Sequence, residues 1–272
     1  MTAARKPGKP YTLAIIQARM SSSRLPAKVL QDIAGKPMLL RVVERARQAS
    51  TVDGVVVATT SDLSDDAVAA LCTQHGLPFY RGSLHDVLDR YYEAARQFGA
   101  EVIVRVTGDC PLIDPGVIDT VVNAFLAGDS AGRPYDFAAN RLPPPWKRTY
   151  PIGLDTEVCT FQALERAWKE ASLPHEREHV MPYLYEEEGR FRVLVLDYPQ
   201  DYGSYRWTVD TPEDLELVRQ IYARLPDPDH FTFLDVIELF EREPDLAKVN
   251  QQVKAKDYRD VDERQAGKTH KA

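Results

Sequence analysis

Apolar residues in this chain fall into short unbroken runs, separated by stretches where they recur at helical spacing. The runs Thr12 to Ile16, Val55 to Ala58 and Glu101 to Val106 predict buried strands. From Pro37 onward, Leu39, Leu40, Val43 and Ala46 share one face, which predicts a helix entered through a proline. A second helix is expected over about 64–75, with Asp65 and Asp66 in its first turn and Gly76 just past its end. A short extended piece is expected over 78–80. Helices are expected over about 86–98, stopped by Gly99, and over about 115–126. Strands alternating with helices imply right-handed crossovers, hence an α/β fold with a mostly parallel sheet and helices on both faces.

The second half is less regular. Arg133 to Arg148 is rich in proline and arginine and reads as an ordered excursion or flap. Phe161, Leu164, Ala167, Trp168 and Ala171 predict a helix over 161–172. Phe191 to Leu196 predicts a strand with two buried faces, and Arg206 to Asp210 another strand. Thr211 is placed to cap a helix running to about Tyr222, and a last helix is expected over about 231–241. The expected organisation is a disordered leader over 1–10, one domain over 11–245, and a charged tail over 246–272. Residues 133–200 would form an insertion serving a second substrate and dimer formation.

Composition narrows the partners. The 272 residues are 44% hydrophobic and 28% charged with net charge −7, which argues against a general nucleic-acid binder but leaves room for a local nucleotide site. No apolar stretch approaches the roughly 20 residues of a membrane span. Cys72, Cys110 and Cys159 are far apart and odd in number, so neither disulfides nor zinc are expected and a reducing cytoplasm is the simpler setting.

In an open parallel sheet, ligands bind beyond the carboxyl ends of the strands. The loop Gln17 to Lys28 follows the first strand and packs three cations and three hydroxyls into twelve residues. Polyphosphate demands that combination of donors and positive charge, although a solvated basic loop would look similar. Asp109 follows the strand EVIVRV, and Asp210 precedes a helix. Each alone could cap a turn or a helix. Together, facing each other across a basic loop, they suggest metal-assisted nucleotidyl transfer.

The segments IIQARMSSSRLPAKVLQDIAGKPML, RVTGDCPLID and RWTVDTPEDLELV resemble the cytidylyltransferase family that includes the CMP-Kdo and CMP-acylneuraminate synthetases. The branch most resembled is the spore-coat polysaccharide cytidylyltransferases, over about residues 11–225. The resemblance implies a Rossmann-like fold of the nucleotide-diphospho-sugar transferase type, CTP as donor, Mg2+ as cofactor, and transfer of CMP to a sugar-type acceptor with loss of pyrophosphate. It places Arg19, Ser23, Arg24 and Lys28 on the triphosphate, with Gln17, Ala18 and Ser22 beside it, and Asp109 and Asp210 on magnesium. Arg19, Lys28, Asp109 and Asp210 would then be the catalytic set. Gly82, Ser83 and Arg90 would frame the nucleoside. Glycine is frequent in the family at the positions of Ser21 and Ala27, and here it is absent from both.

Asn140, YPIGLDTEV at 150–158 and HEREHVMPYLY at 175–185 also resemble the spore-coat branch. Asn140, Asp155, Glu157 and Arg177 are the expected acceptor contacts, with Arg148 and His179 as further candidates. A homodimer is implied by the family. Rival readings are a transferase of the same fold using another nucleoside triphosphate, a glycosyltransferase consuming a finished nucleotide sugar, and a non-catalytic nucleotide-binding regulator.

Overall fold

A computed structural model describes residues 9–130, 132–144, 146–254 and 259. Its main sheet is built on β1 (Thr12–Gln17), flanked by β4 (Gly54–Thr60) and β6 (Val102–Thr107), both parallel to it. β5 (Phe79–Gly82) lies outside β4. On the other side follow β8 (Glu157–Thr160), β7 (Phe137–Ala139) and β9 (Val193–Val195), giving the order β5-β4-β1-β6-β8-β7-β9. β8 pairs antiparallel with both its neighbours, while β7 and β9 pair in parallel. So six strands of this sheet deliver their carboxyl ends, and β8 its amino end, to one edge. A small ribbon of β2 (Asp32–Ile33) and β3 (Lys36–Pro37) stands apart.

Period-two burial divides the sheet's side chains between two cores. Ala14 and Ile16 face α1 (Met38–Gln48), α2 (Asp66–Gln74) and α4 (Pro115–Ser130). Leu13 and Ile15 share a core with α3 (Val87–Phe98), α5 (Phe161–Glu170) and α7 (Pro182–Tyr185), while α6 (Pro174–His179) packs on α3. A third core gathers Met38, Trp207 and Val209 with α8 (Pro212–Arg224) and α9 (Phe233–Arg242). The α/β, mostly parallel, two-faced sheet is therefore as expected. No helix among the described residues is long and apolar enough to cross a membrane.

Four local expectations need correction. The excursion over 133–148 contains β7, an inner strand whose three residues are fully buried but too few to show a period. The strand expected over 191–196 shrinks to β9, a half-buried edge with one neighbour. Residues 206–210 form no strand, only a single bridge between Ile152 and Arg206. Their alternating burial arises instead from Trp207 and Val209 packing into the third core. Finally, the apolar face of α5, which the sequence offers as surface that a single sheet would leave uncovered, is packed within the fold. Ala163, Leu164 and Ala167 are buried, and Trp168 stacks on Tyr92 of α3 at 4.1 Å. The leader over 1–8, and the tail beyond 254 apart from residue 259, lie outside the described residues.

Candidate active site

The loop after β1 is closed by its own backbone. Ala27 N–H donates to the Met20 carbonyl at 2.8 Å, so residues 21–26 form a short bight before the single turn Lys28–Leu30. That closure puts Ala27 at φ 58°, ψ 22°, the left-handed region that a Cβ disfavours. Ala27 therefore carries a strain that a glycine would avoid. Within the bight, the Ser21 hydroxyl is buried and has no hydrogen-bond partner. Such an orphaned donor suits an incoming oxygen. The Ser22 hydroxyl accepts from Leu25 N–H at 3.4 Å.

Lys28 is the hub. Its Nζ donates to Asp109 Oδ2 at 2.7 Å, Asp210 Oδ1 at 2.8 Å and the Val209 carbonyl at 2.8 Å, which uses all three of its hydrogens. Lys28 is thus a strut between the two carboxylates, where the sequence suggested a direct triphosphate contact. Burial alone would lower its pKa, but Asp109 and Asp210 outweigh this and raise it. The carboxylates converge because Val209 N–H donates to the Asp109 carbonyl at 2.8 Å. Gly108 lets the loop that carries Asp109 lie against the end of β1. A Cβ there would sit 2.7 Å from the Gln17 carbonyl oxygen, which Gly108 N–H meets at 2.8 Å.

Asp210 carries more positive charge than the sequence indicated. Its Oδ2 meets Arg24 at 2.8 Å and Arg206 at 2.7 Å. Burial opposes ionisation of Asp210, yet Lys28, Arg206 and Arg24 prevail and hold its pKa down at about 2. Arg206 is fixed in turn by a fork on fully buried Asp214, which also closes the capping box with Thr211 and accepts from Asn250. Arg206, Asp214 and Asn250 were not foreseen. The only signal was Asp214 three residues after Thr211, which reads as a plain capping box.

Around the rest of the edge, Ala18 is buried against β4, its N–H reaching the Ala58 carbonyl at 3.2 Å. Gln17 accepts from Arg105 at 3.3 Å. Arg90 lies beneath the 82–83 turn, donating to the Ser83 carbonyl at 2.6 Å, and burial lowers its pKa to about 10. Arg19, partly exposed, has Glu178 at 4.0 Å. Ser23 is partnered within the fold.

The expected acceptor residues are engaged internally. Arg177 forks onto Asp86, the cap of α3, and donates to the Trp168 carbonyl at 2.7 Å. Arg148 holds Asp155 at 2.6 Å, and Glu157 is bonded to Arg105. Asn140 joins strand ends, donating to the Leu154 carbonyl and accepting from Thr156 N–H at 2.9 Å. Cys110 is buried, which raises its pKa and keeps it a thiol, so it is no nucleophile. A cavity of about 530 Å³ lined by Tyr11, Gly54, Leu77 and Phe98 opens at the opposite ends of β1 and β4, away from all these groups.

The donor set fits magnesium. Two hard carboxylates already converge on one cation, the Lys28 ammonium, and no cluster of three acidic, His or Cys ligands exists among the described residues. Two carboxylates suffice for an ion that takes its remaining ligands from water and substrate phosphate.

Fold and site together define a class, the α/β nucleotidyltransferases. Residues 13–251 match the family model for cytidylyltransferases, and the chain belongs to that family. It is 32% identical to the spore coat polysaccharide biosynthesis protein SpsF of Bacillus subtilis over 86% of this chain and 96% of that protein. It is also 32% identical to the 3-deoxy-manno-octulosonate cytidylyltransferase of Anaeromyxobacter dehalogenans, over 78% of this chain and 98% of the other. Among solved structures, a cytidylyltransferase from Leptospira borgpetersenii superposes with TM-score 0.82 at 32% identity, covering 91% of this chain and all of that one. A CMP-Kdo synthetase complexed with CTP superposes at TM-score 0.58 and 24% identity and shows the shared fold.

Proposed function

We propose that the protein transfers CMP from CTP to a sugar or sugar-acid acceptor, releasing pyrophosphate, in surface polysaccharide biosynthesis in the cytoplasm. The observation that carries this reading is the convergence of Asp109 and Asp210 on Lys28 beside a loop with an orphaned buried hydroxyl, in a chain of the cytidylyltransferase family. An acceptor oxygen attacks the α-phosphorus, the bond to the bridging oxygen breaks, and pyrophosphate departs. Arg19 and Arg24 offset charge on the triphosphate, and Ser21 and Ser22 offer hydroxyls to its oxygens. Arg24 must leave Asp210 to do so, which its partly exposed side chain permits. Asp109 and Asp210 would hold Mg2+, which when bound supplies charge neutralisation at the α-phosphate and the leaving group.

Lys28 keeps the two carboxylates apart from one another's repulsion and poised at one point. No covalent intermediate is needed. A homodimer, implied by the family, is part of the proposal and is tested by light scattering, where a monomer at working concentration would remove it. The function is tested by incubating each of the four nucleoside triphosphates with a panel of sugar and sugar-acid acceptors and measuring pyrophosphate. CTP-dependent release is expected. Release from another triphosphate alone, or liberation of a nucleoside mono- or diphosphate from a nucleotide sugar instead, would overturn it.

A further inference from the structure

Asp65 directly precedes α2, where an aspartate is ordinarily a helix cap. Here its side chain makes no capping bond. It is fully buried and turned the other way, accepting from Met20 N–H at 2.6 Å and from the Thr60 hydroxyl. Met20 is the neck of the bight after β1, since its carbonyl is the one that Ala27 closes. Asp65 therefore grips the loop at the peptide joining Arg19 to Met20, from inside the core.

The same carboxylate belongs to a turn clamped from the other side. Arg81, in the segment expected to frame the nucleoside, donates to the Thr60 carbonyl at 2.8 Å and the Asp62 carbonyl at 2.9 Å. It also pairs with Asp66 at 2.7 Å. Asp62 N–H in turn donates to the Thr60 hydroxyl. A continuous bonded path thus runs from Arg81 through Thr60 and Asp65 to the backbone of the cation-rich loop. A buried negative charge beneath a loop built to receive anions has an electrostatic cost, and a buried carboxylate is retained only where its bonds repay it. A purely local role would be met by capping α2, which this side chain does not do.

We infer that Asp65 is a positioning residue for nucleoside triphosphate binding. It sets the placement of Arg19 and the Ser21 to Ser23 hydroxyls, and couples it to the segment that receives the nucleoside. The inference rests on the reading of the loop as the triphosphate site.

The test is calorimetric titration of CTP and CMP into the wild type and into Asp65→Ala, Asp65→Asn and Thr60→Val, with melting curves for each. Asp65→Ala should weaken CTP by about tenfold or more, the worth of a buried charge-assisted bond, while CMP changes far less. Asp65→Asn keeps an acceptor for Met20 N–H and should recover most of the CTP affinity. Thr60→Val frees the carboxylate from below and should fall between. Undiminished CTP affinity in both Asp65→Ala and Thr60→Val, or equal losses for CTP and CMP, would overturn the inference. If Asp65→Ala does not fold, Thr60→Val decides by the same criterion. A wild type that binds no CTP would strike the proposed function instead.

Discussion

Val209 N–H donates to the Asp109 carbonyl at 2.8 Å, and this one backbone bond brings two carboxylate-bearing segments from distant parts of the chain to the same point. Its consequence is that Asp109 and Asp210 share the Lys28 ammonium. If the pair holds the metal, Asp109→Asn or Asp210→Asn should cut turnover by on the order of 100-fold, with circular dichroism unchanged. Wild-type turnover in both variants at saturating magnesium would remove the role.

Lys28 acts as a strut, so its loss should be felt twice. Lys28→Ala leaves Asp109 and Asp210 facing each other without their shared counter-charge, in a largely buried setting. Stability should fall by about 3 kcal/mol in urea titrations, and turnover should fall as well. Lys28→Arg should not restore either, because a planar fork cannot place three donors on these three oxygens. An Arg variant with full stability and turnover would show that only the charge matters.

The pH dependence follows from the sign of the Asp210 shift. Its folded pKa, about 2, lies below the ordinary carboxylate value of about 3.9. A depressed folded pKa gives stability that is present above the unfolded value and lost as pH falls through the folded one. The stability gap between wild type and Asp210→Asn should therefore be constant above about pH 5 and narrow steadily between about pH 4 and pH 2. A gap that does not change across that window would separate Asp210 from its three cations.

Ala27 offers a gain. Its φ of 58° costs an alanine more than a glycine, so Ala27→Gly should raise stability, by at most about 1 kcal/mol once the more flexible unfolded chain is counted. Denaturant melts that show a loss instead would mean that the Ala27 methyl packs usefully.

The Arg105–Glu157 pair tests the assignment of Glu157 to the acceptor. Both side chains are nearly inaccessible, and Arg105 lies above the ordinary guanidinium range because Glu157 outweighs burial. Glu157→Ala should leave that charge uncompensated and cost about 3–5 kcal/mol. A soluble variant of normal melting temperature with a raised acceptor KM would return Glu157 to direct substrate contact.

What the sequence determined by itself is what local pattern encodes. The runs TLAII and VVVA and the apolar part of EVIVRV read as buried strands, because a strand between two helical layers buries short apolar runs on both faces. Thr211 with Asp214 had to open a helix, and the three cations of the loop after β1 had to stand at a carboxyl end. Asp109 was legible for the same reason, as an acid beside such an end, and Asp210 as an acid just ahead of the helix that Thr211 opens. Tertiary structure decided how these groups are spent. Lys28 became a strut and Arg24 a partner of Asp210, while Arg177 and Arg105 were each matched to a carboxylate from another element and Arg148 to Asp155 of its own loop. β7 formed from three residues too short to carry a period, and Asp65 turned from the helix it precedes to grip the loop. Such choices depend on which groups meet when the chain closes, since a charge leaving water takes the nearest opposite charge and bond that the packed fold offers.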